Sequence, residues 1–541
     1  MLDLAESTAR DHKAWCVAAI AYEAAEAFLP VTLHQATGFP LLWVCVYRKA
    51  HPLQSLPTPT EPFKIDNLTL SQKFPEYKSS IDLIKSKIAS GHTYQVNHTL
   101  RITGKFSGDA YALFHFLNQN QAECYGAFLE LDGFTICSAS PELFFEKTGR
   151  QIRSKPMKGT APRGRNLQED EIGKTALQNS AKDRAENVMI VDMIRNDIGK
   201  IADTGSVVVS ELFQIETYPT VLQMTSTVEA QTSANITQAI SALFPCASIT
   251  GAPKLSTMRI INQTESQPRQ IYCGSIGFIR PDGDAQFNVA IRTALVDKQR
   301  GTLEYGAGGG IVWDSTAEGE YAEANNKAAI LTRSASPFTL KEALRWTPAE
   351  GYWLLHEHIQ RLADSASYFG FQFDLTDVVK QLTEFALSLP ANPHKVRLEL
   401  SRDGSILLGA ERITPPDPAH IIRLRLADNP INDRDPFYFH KTSRWQSLYP
   451  QRAQGLEVDF VYYNNRGEVT ETSIGNLVFV KDGKAFTPPV ASGLLDGTYR
   501  QALLAQGEIE ERVIHVDEID TFDEIWMINS VRGKIRAVLE R

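Results

Sequence analysis

The chain has 541 residues, 43% of them hydrophobic and 22% charged, with 34 glycines and 27 prolines spread along it, a composition that excludes disordered and collagen-like classes and describes a folded globular protein. At about 150 residues per domain the length predicts three or four folding units, hence at least two separable parts. Sixty-four acidic against 55 basic residues leave a net charge of −9, which provides no broad positive field for a phosphate backbone and argues against a nucleic-acid partner.

Met1-Leu-Asp-Leu-Ala-Glu6 carries acid where a signal peptide carries base, and apolar runs such as 15–22 and 41–47 are far short of a membrane span. No membrane partner is expected. The six cysteines, Cys16, Cys45, Cys124, Cys137, Cys246 and Cys273, lack metal-type spacing and read as reduced packing residues of a cytoplasmic protein.

Strand text such as 125–131 alternates with helical text such as 179–196 up to about 333. Asp183 with Glu186, and Glu320 with Glu323, are spaced i, i+3, so each pair shares one helix face. Four such carboxylates suit Mg²⁺, which keeps several waters and takes few protein ligands; helix-dipole complementation is the plainer reading of each pair alone. Ser248-Ile-Thr-Gly-Ala-Pro-Lys254 reads as a turn opening a helix. A strand at 302–305 runs into Gly306-Ala-Gly-Gly-Gly310, whose bare amides could bind a carboxylate; a bulge or tight turn is the plainer reading of such a run. Ser315 with Glu318 reads as the capping box of the helix that carries Glu320 and Glu323.

Ser334-Ala-Ser-Pro337 breaks that helix, which places a domain junction near 335. An amphipathic helix at 356–368, a strand at 395–400 and a turn at Asp403-Gly404 follow. The expected fold is α+β multidomain, with domains 1–335 and 336–541.

Tyr94-Gln-Val-Asn97, Ser140-Pro-Glu-Leu-Phe144, Lys158-Gly-Thr160, the run 186–197, Ser248 to Lys254, Ala290-Ile-Arg-Thr293 and the closing glycines occur in the order seen in the chorismate-utilising enzymes, and the first part resembles that family over about 250 residues. The resemblance implies a layered α/β fold and Mg²⁺-dependent chemistry on chorismate. It further implies that Glu186 and Glu323 hold Mg²⁺ directly, with Asp183 and Glu320 acting directly or through water. Tyr272, Arg292 and the amides of Gly308, Gly309 and Gly310 would take the enolpyruvyl carboxylate, Thr250 would contact substrate, Lys327 would add positive charge, and Glu142 would be the general acid for the departing C4 hydroxyl.

Water-adding members carry a lysine where this chain has Gln95, so ammonia is the expected nucleophile. Lys158 stands where anthranilate synthases have alanine and aminodeoxychorismate synthases have lysine, and an amine there can attack C2 of the ring covalently. Gln223 replaces a histidine of many relatives. No Gly-x-Cys-x-Gly nucleophile motif surrounds any cysteine, so ammonia comes from solution or from a separate glutamine amidotransferase subunit.

In the second part, Lys441, then Glu471 with Asn476, then Gly497-Thr498, suit pyridoxal phosphate: a lysine for its aldehyde, a carboxylate for its ring nitrogen and a helix start for its phosphate, with Arg361 as an added cation. Their order resembles the fold-type IV pyridoxal phosphate enzymes over about 200 residues. Asp496 replaces the proline often found before the phosphate-binding glycine, and Asn529 to Gly533 would lie near substrate carboxylates. A homodimer through this domain is the assembly the resemblance allows.

The expected enzyme aminates chorismate to 4-amino-4-deoxychorismate and then removes pyruvate to give 4-aminobenzoate for folate biosynthesis. The alternatives are an anthranilate synthase joined to an aminotransferase-like domain, which Lys158 opposes, and a second domain that only regulates the first.

Overall fold

The computed structural model describes all residues except 36–37, 54–55, 120–123, 332–336, 415–418, 454, 456 and 541. The junction expected at 334–336 therefore lies outside the described residues. Two compact units are present: Met1–Pro162 with Lys174–Ala335, and Arg163–Gly173 with Ser336–Arg541. Segment 163–173, placed by the sequence reading in the first domain, thus belongs to the second unit.

The first unit holds a nine-stranded and a seven-stranded sheet, both antiparallel throughout. They pack through a shared apolar layer in which Ile276 of the larger sheet meets Ile136 and Leu295 of the smaller. The helix Ala181–Gly199 covers the larger sheet because Ile190, Val191, Ile194 and Ile198 recur on one side and are all buried. Its start is set by Ser180, whose hydroxyl accepts the Asp183 amide at 3.3 Å. In the smaller sheet Gln95–Gly108 is buried over its first eight residues, since Thr302–Ile311 lies beside it and helices cover it. The short strand Gly251–Ala252 pairs with Val96 and Gln95 and opens the helix Lys254–Thr264, as the turn reading expected.

The second unit has a four-stranded antiparallel sheet packed on the helices Leu355–Phe369 and Leu375–Leu387, and an eight-stranded mixed sheet with its own apolar core. Both helix 356–368 and strand 395–400 are found, as Leu355–Phe369 and His394–Leu400. Lys441 follows the short turn of helix Pro436–Phe439. No helix of the described residues is long and apolar enough to cross a membrane, and all six cysteines are free thiols.

Candidate active sites

Lys158 lies on the strand Met157–Pro162, and the residues around it hold that strand from three sides. Its carbonyl accepts Asn187 Nδ2 at 3.1 Å, and Asn187 Oδ1 in turn accepts Ser226 Oγ at 2.6 Å. Gln223 donates to Gly159 O at 2.7 Å and accepts Thr160 Oγ1 at 2.9 Å. The residue that replaces a histidine of many relatives therefore fastens the Lys158-Gly159-Thr160 strand. Lys158 Nζ reaches Glu186 Oε2 at 3.1 Å, with both side chains largely buried.

The glycine run is strand, so the plainer reading as a bulge or tight turn does not hold. Thr302–Ile311 is continuous, with Gly308, Gly309 and Gly310 opposite Thr99, His98 and Asn97. Asn97 N donates to Thr250 O and Thr99 N to Glu265 Oε1, so neither bonds a glycine, and Gly308 O accepts Lys327 Nζ at 2.7 Å. Since N–H and C=O of one residue point to one side of a strand, Gly309 faces the ladder while Gly308 and Gly310 face outward. On that edge the neighbouring strand Thr293–Asp297 pairs only as far as Tyr305. The amides of Gly308 and Gly310 are thus open to an anion, and that of Gly309 is withdrawn.

The missing side chains make room for the site. A Cβ at Gly310 would lie 2.6 Å from Lys158 Nζ and 2.7 Å from Gln95 Nε2, and one at Gly306 would enter the Tyr272 ring at 2.2 Å. A Cβ at Gly309 would sit 3.0 Å from Glu320 Oε2 and 3.6 Å from Glu323 Oε1. Gln95 is buried, and both of its amide atoms lack a hydrogen-bond partner in the structure.

Of the acidic pairs, Asp183 accepts Ser180 Oγ at 2.5 Å in the helix start and Glu320 accepts Ser315 Oγ at 2.7 Å. The cap of the helix Ala317–Ala328 is Thr316, which accepts Gly319 N at 3.2 Å, so the Ser315/Glu318 box is corrected. Glu323 pairs with Lys327 at 2.7 Å. Burial pushes Glu320 upward, Glu323 adding to it, whereas the burial of Glu323 is outweighed by Lys327 and Lys158, which hold it below its ordinary value. Among the described residues no three His, Cys, Asp or Glu side chains converge closely enough to hold a metal by themselves. Glu320 and Glu323 lie over Gly309 and Glu186 lies beside Lys158; their hard oxygens are of the kind Mg²⁺ takes, with water and an anionic ligand filling most of its shell.

Glu142 is buried and accepts Ser248 Oγ at 2.6 Å. Burial lifts its pKa to about 7 against the opposing pull of Ser248 and Lys158, which is the range a general acid needs at neutral pH. Tyr272 is buried beneath the Arg101 guanidinium, 5.3 Å from its ring. Arg292 has φ 49° and is lowered from its ordinary pKa by burial, with Tyr305 and Tyr218 opposing. Thr250 spends its hydroxyl proton on Cys246 O (3.0 Å) and Ala247 O (3.2 Å), its amide donates to Ala247 O and its carbonyl accepts Asn97 N, so it has no donor left for a carboxylate and braces the turn instead. Lys254, the last residue of its motif, donates to Asp197 Oδ2 at 2.6 Å and Leu243 O at 2.8 Å, a buried tie between two motifs.

In the second unit Lys441 is lowered by burial and by Arg361. Glu471 is raised by burial to about 7, opposed by Tyr449, Leu495 and Lys441. Its Oε1 accepts Tyr449 Oη at 2.7 Å and Leu495 N at 2.9 Å, and its Oε2 accepts Asn476 Nδ2 at 3.2 Å. Arg361 is bound in fork fashion to Glu342 at 2.9 and 2.7 Å. His358 Nδ1 meets the same carboxylate at 2.6 Å while its Nε2 lies 3.3 Å from Thr498 Oγ1. Because the carboxylate only accepts and burial disfavours charge on this ring, Nδ1 carries the proton and Nε2 accepts from Thr498. Gly497 caps the helix Thr498–Ala505, and a Cβ there would strike Asn476 Oδ1 at 2.0 Å. Asp496 pairs with Arg500 at 2.7 Å, and its carbonyl accepts Arg361 Nη1 at 3.1 Å, so the residue that replaces proline anchors the loop. Asn529 closes a turn by accepting the amides of Val531 and Arg532. Glu342, His358 and Tyr449 were not singled out in the sequence: Glu342 sits in a strand whose alternate residues are apolar, and only the packed partners mark it.

A buried amine, a carboxylate near neutrality and a helix start fit a cofactor with an aldehyde, a ring nitrogen and a phosphate. The first unit combines a raised acid, open strand amides and an amine beside carboxylates, the features of an enzyme site. Residues 3–333 match the chorismate binding enzyme family, more than half of the sequence, and the chain belongs to that family. Residues 339–538 match the amino-transferase class IV family. Aminodeoxychorismate synthase component 1 of Klebsiella aerogenes is 42% identical over 254 residues, which cover 47% of this chain and 56% of that protein, so the chain spans little more than half the length of this relative. Anthranilate synthase component 1 of Saccharolobus solfataricus is 36% identical over 271 residues, 50% of this chain and 64% of that protein. The crystal structure of anthranilate synthase component I from Streptococcus pneumoniae TIGR4 superposes with a TM-score of 0.54 at 24% identity, over 61% of this chain and 85% of that one, a likeness of fold.

Proposed function

We propose that the first unit converts chorismate and ammonia to 4-amino-4-deoxychorismate and that the second removes pyruvate from this product to give 4-aminobenzoate, a folate precursor. The observation that carries the reading is the amine of Lys158, held beside Glu186 and against the side-chain-free face of Gly310. Relatives named aminodeoxychorismate synthase support the same first step.

In that step Glu186, Glu320 and Glu323, with Asp183 at its helix start, would hold Mg²⁺, which would supply the positive charge that binds the substrate ring carboxylate. Tyr272, Arg292 and the amides of Gly308 and Gly310 hold the enolpyruvyl carboxylate, Lys327 adds positive charge, and Thr250 braces the turn beside them. Lys158 attacks C2 as the ring double bond shifts and the C4 hydroxyl leaves, taking the proton of Glu142. Ammonia then attacks C4, the double bond shifts back, Lys158 departs as the free amine, and the proton shed by the new C4 amine restores Glu142. A separate glutamine amidotransferase subunit supplies the ammonia.

In the second step pyridoxal phosphate, when bound, withdraws electrons from the substrate carbon. Lys441 would tether the cofactor and take the C4 proton, Glu471 would keep the ring nitrogen protonated, and Arg361, Gly497 and Thr498 would hold the phosphate end, Arg361 being aimed by Glu342. The loss of pyruvate leaves an aromatic ring. Incubation with chorismate, ammonia, Mg²⁺ and pyridoxal phosphate, followed by product identification, tests the whole scheme: 4-aminobenzoate and pyruvate in equal amounts are expected, and anthranilate as the sole aromatic product would overturn it.

A further inference from the structure

The second unit includes a segment that the chain contributes early, between the strand of Lys158 and the helix of Asp183 and Glu186. Arg163 and Asp170 form an ion pair within it, with Nε 3.0 and 2.8 Å from the two carboxylate oxygens, and the side chains are only 7% and 1% exposed. Asp170 also accepts Gly164 N at 2.7 Å. A buried pair persists only when its remaining hydrogen-bonding groups are met, and here they are met by Leu355–Phe369. Arg163 Nη2 donates to Tyr368 O at 3.1 Å, its guanidinium lies 4.3 Å from the Tyr368 ring centre, and Tyr368 Oη donates to Gly164 O at 2.7 Å.

This assembly ends on the two residues that precede Lys441. Tyr368 stacks on His440, with ring centres 4.5 Å apart and an interplanar angle of 27°. His440 Nε2 lies 3.1 Å from Arg165 O, and its Nδ1 lies 2.9 Å from Ser365 Oγ. A carbonyl only accepts, so Nε2 carries the proton and Nδ1 accepts from the serine, which fixes both the tautomer and the plane of the ring. The Arg165 guanidinium covers Phe439 at 4.6 Å and donates to Asp433 O and Ala491 O, each at 3.2 Å. On its other side Lys441 is held by a strand, its carbonyl accepting Lys341 N at 2.8 Å.

We propose that segment 163–173 is a positioning element of the second site: through Tyr368 and His440 it sets the backbone from which Lys441 reaches the cofactor. The inference rests on Lys441 being the cofactor-bearing lysine. It means that the class IV part of the chain, taken from 339 onward, lacks a piece of its own site.

The test uses the full-length chain with pyridoxal phosphate. The visible band of the lysine-linked cofactor is titrated against pH, and kcat and KM are measured for pyruvate release from supplied 4-amino-4-deoxychorismate. In His440→Ala and Arg163→Met the band's titration midpoint moves and kcat falls about tenfold with little change in KM, the size expected when a reacting group is displaced by a fraction of an ångström. His440→Gln, which keeps a donor for Arg165 O and an acceptor for Ser365, restores most of both. Should Arg163→Met not fold, Tyr368→Phe, which loses only the bond to Gly164 O, is expected to move both readouts in the same direction. An unchanged titration and an unchanged kcat in the soluble variants would overturn the positioning role. Absence of the band in the wild-type chain, with borohydride leaving Lys441 unmodified, would instead overturn the reading of Lys441, and this inference with it.

Discussion

In the proposed first reaction Lys158 is the nucleophile and Glu142 the acid, and each role can be tested alone. Lys158→Ala removes the attacking amine and should lower amination of chorismate by at least about a thousandfold, while pyruvate release from supplied intermediate stays at the wild-type rate; steady-state assays of the two half-reactions check this. Glu142 acts in its protonated form, and its pKa of about 7 sets the sign of the pH response. The acid form is lost as pH rises through 7, so kcat/KM for amination should fall on the alkaline side, and Glu142→Gln should be slow at every pH without that alkaline fall. Both residues were legible in the sequence because neighbouring motif residues frame them. The Glu342–His358 pair behind Thr498 was not, since the two sit in different elements and each is ordinary in its own segment.

At the scale of elements the strand Thr302–Ile311 shows how the chain makes room for chemistry. A run of glycines has no side-chain period, so its sequence does not distinguish strand from turn; pairing with Gln95–Gly108 decides it. Two substitutions on this strand should separate packing from catalysis. Gly306→Ala drives a methyl into the buried Tyr272 ring, and such overpacking costs about 1–3 kcal/mol, readable by denaturant unfolding. Gly310→Ala meets the flexible end of Lys158 and should cost less stability but most of the amination rate, measured with saturating Mg²⁺. The helix Ala317–Ala328 makes a related point: both Ser315 and Thr316 are good caps, and Ser315 is taken by Glu320, which leaves the cap to Thr316.

For the whole molecule, the order of motifs along the chain disclosed both folds. It did not disclose segment 163–173, whose sequence continues the first part without a break and whose place only tertiary packing reveals. Buried ionisable groups also give the molecule a pH response. His98 is buried, with Nδ1 unpartnered, and burial lowers its pKa to about 4, Arg269 and Arg101 adding to the effect and Glu265 opposing it. Between pH 6.5 and 4 the unfolded chain takes up a proton that the folded chain refuses, so this group's contribution to stability is lost as pH falls. His98→Gln should remove that loss, and its stability relative to wild type should rise by up to about 2 kcal/mol between pH 7 and 5, as read by urea unfolding at both pH values. The central claim is that one chain performs two consecutive reactions and that Lys441 belongs to the second alone. The most direct measurement is a time course of chorismate, 4-amino-4-deoxychorismate and 4-aminobenzoate with Lys441→Ala, in the presence of ammonia, Mg²⁺ and pyridoxal phosphate. Chorismate should disappear, the intermediate should accumulate and 4-aminobenzoate should form only after wild-type chain is added; 4-aminobenzoate formed by the variant alone would contradict the assignment.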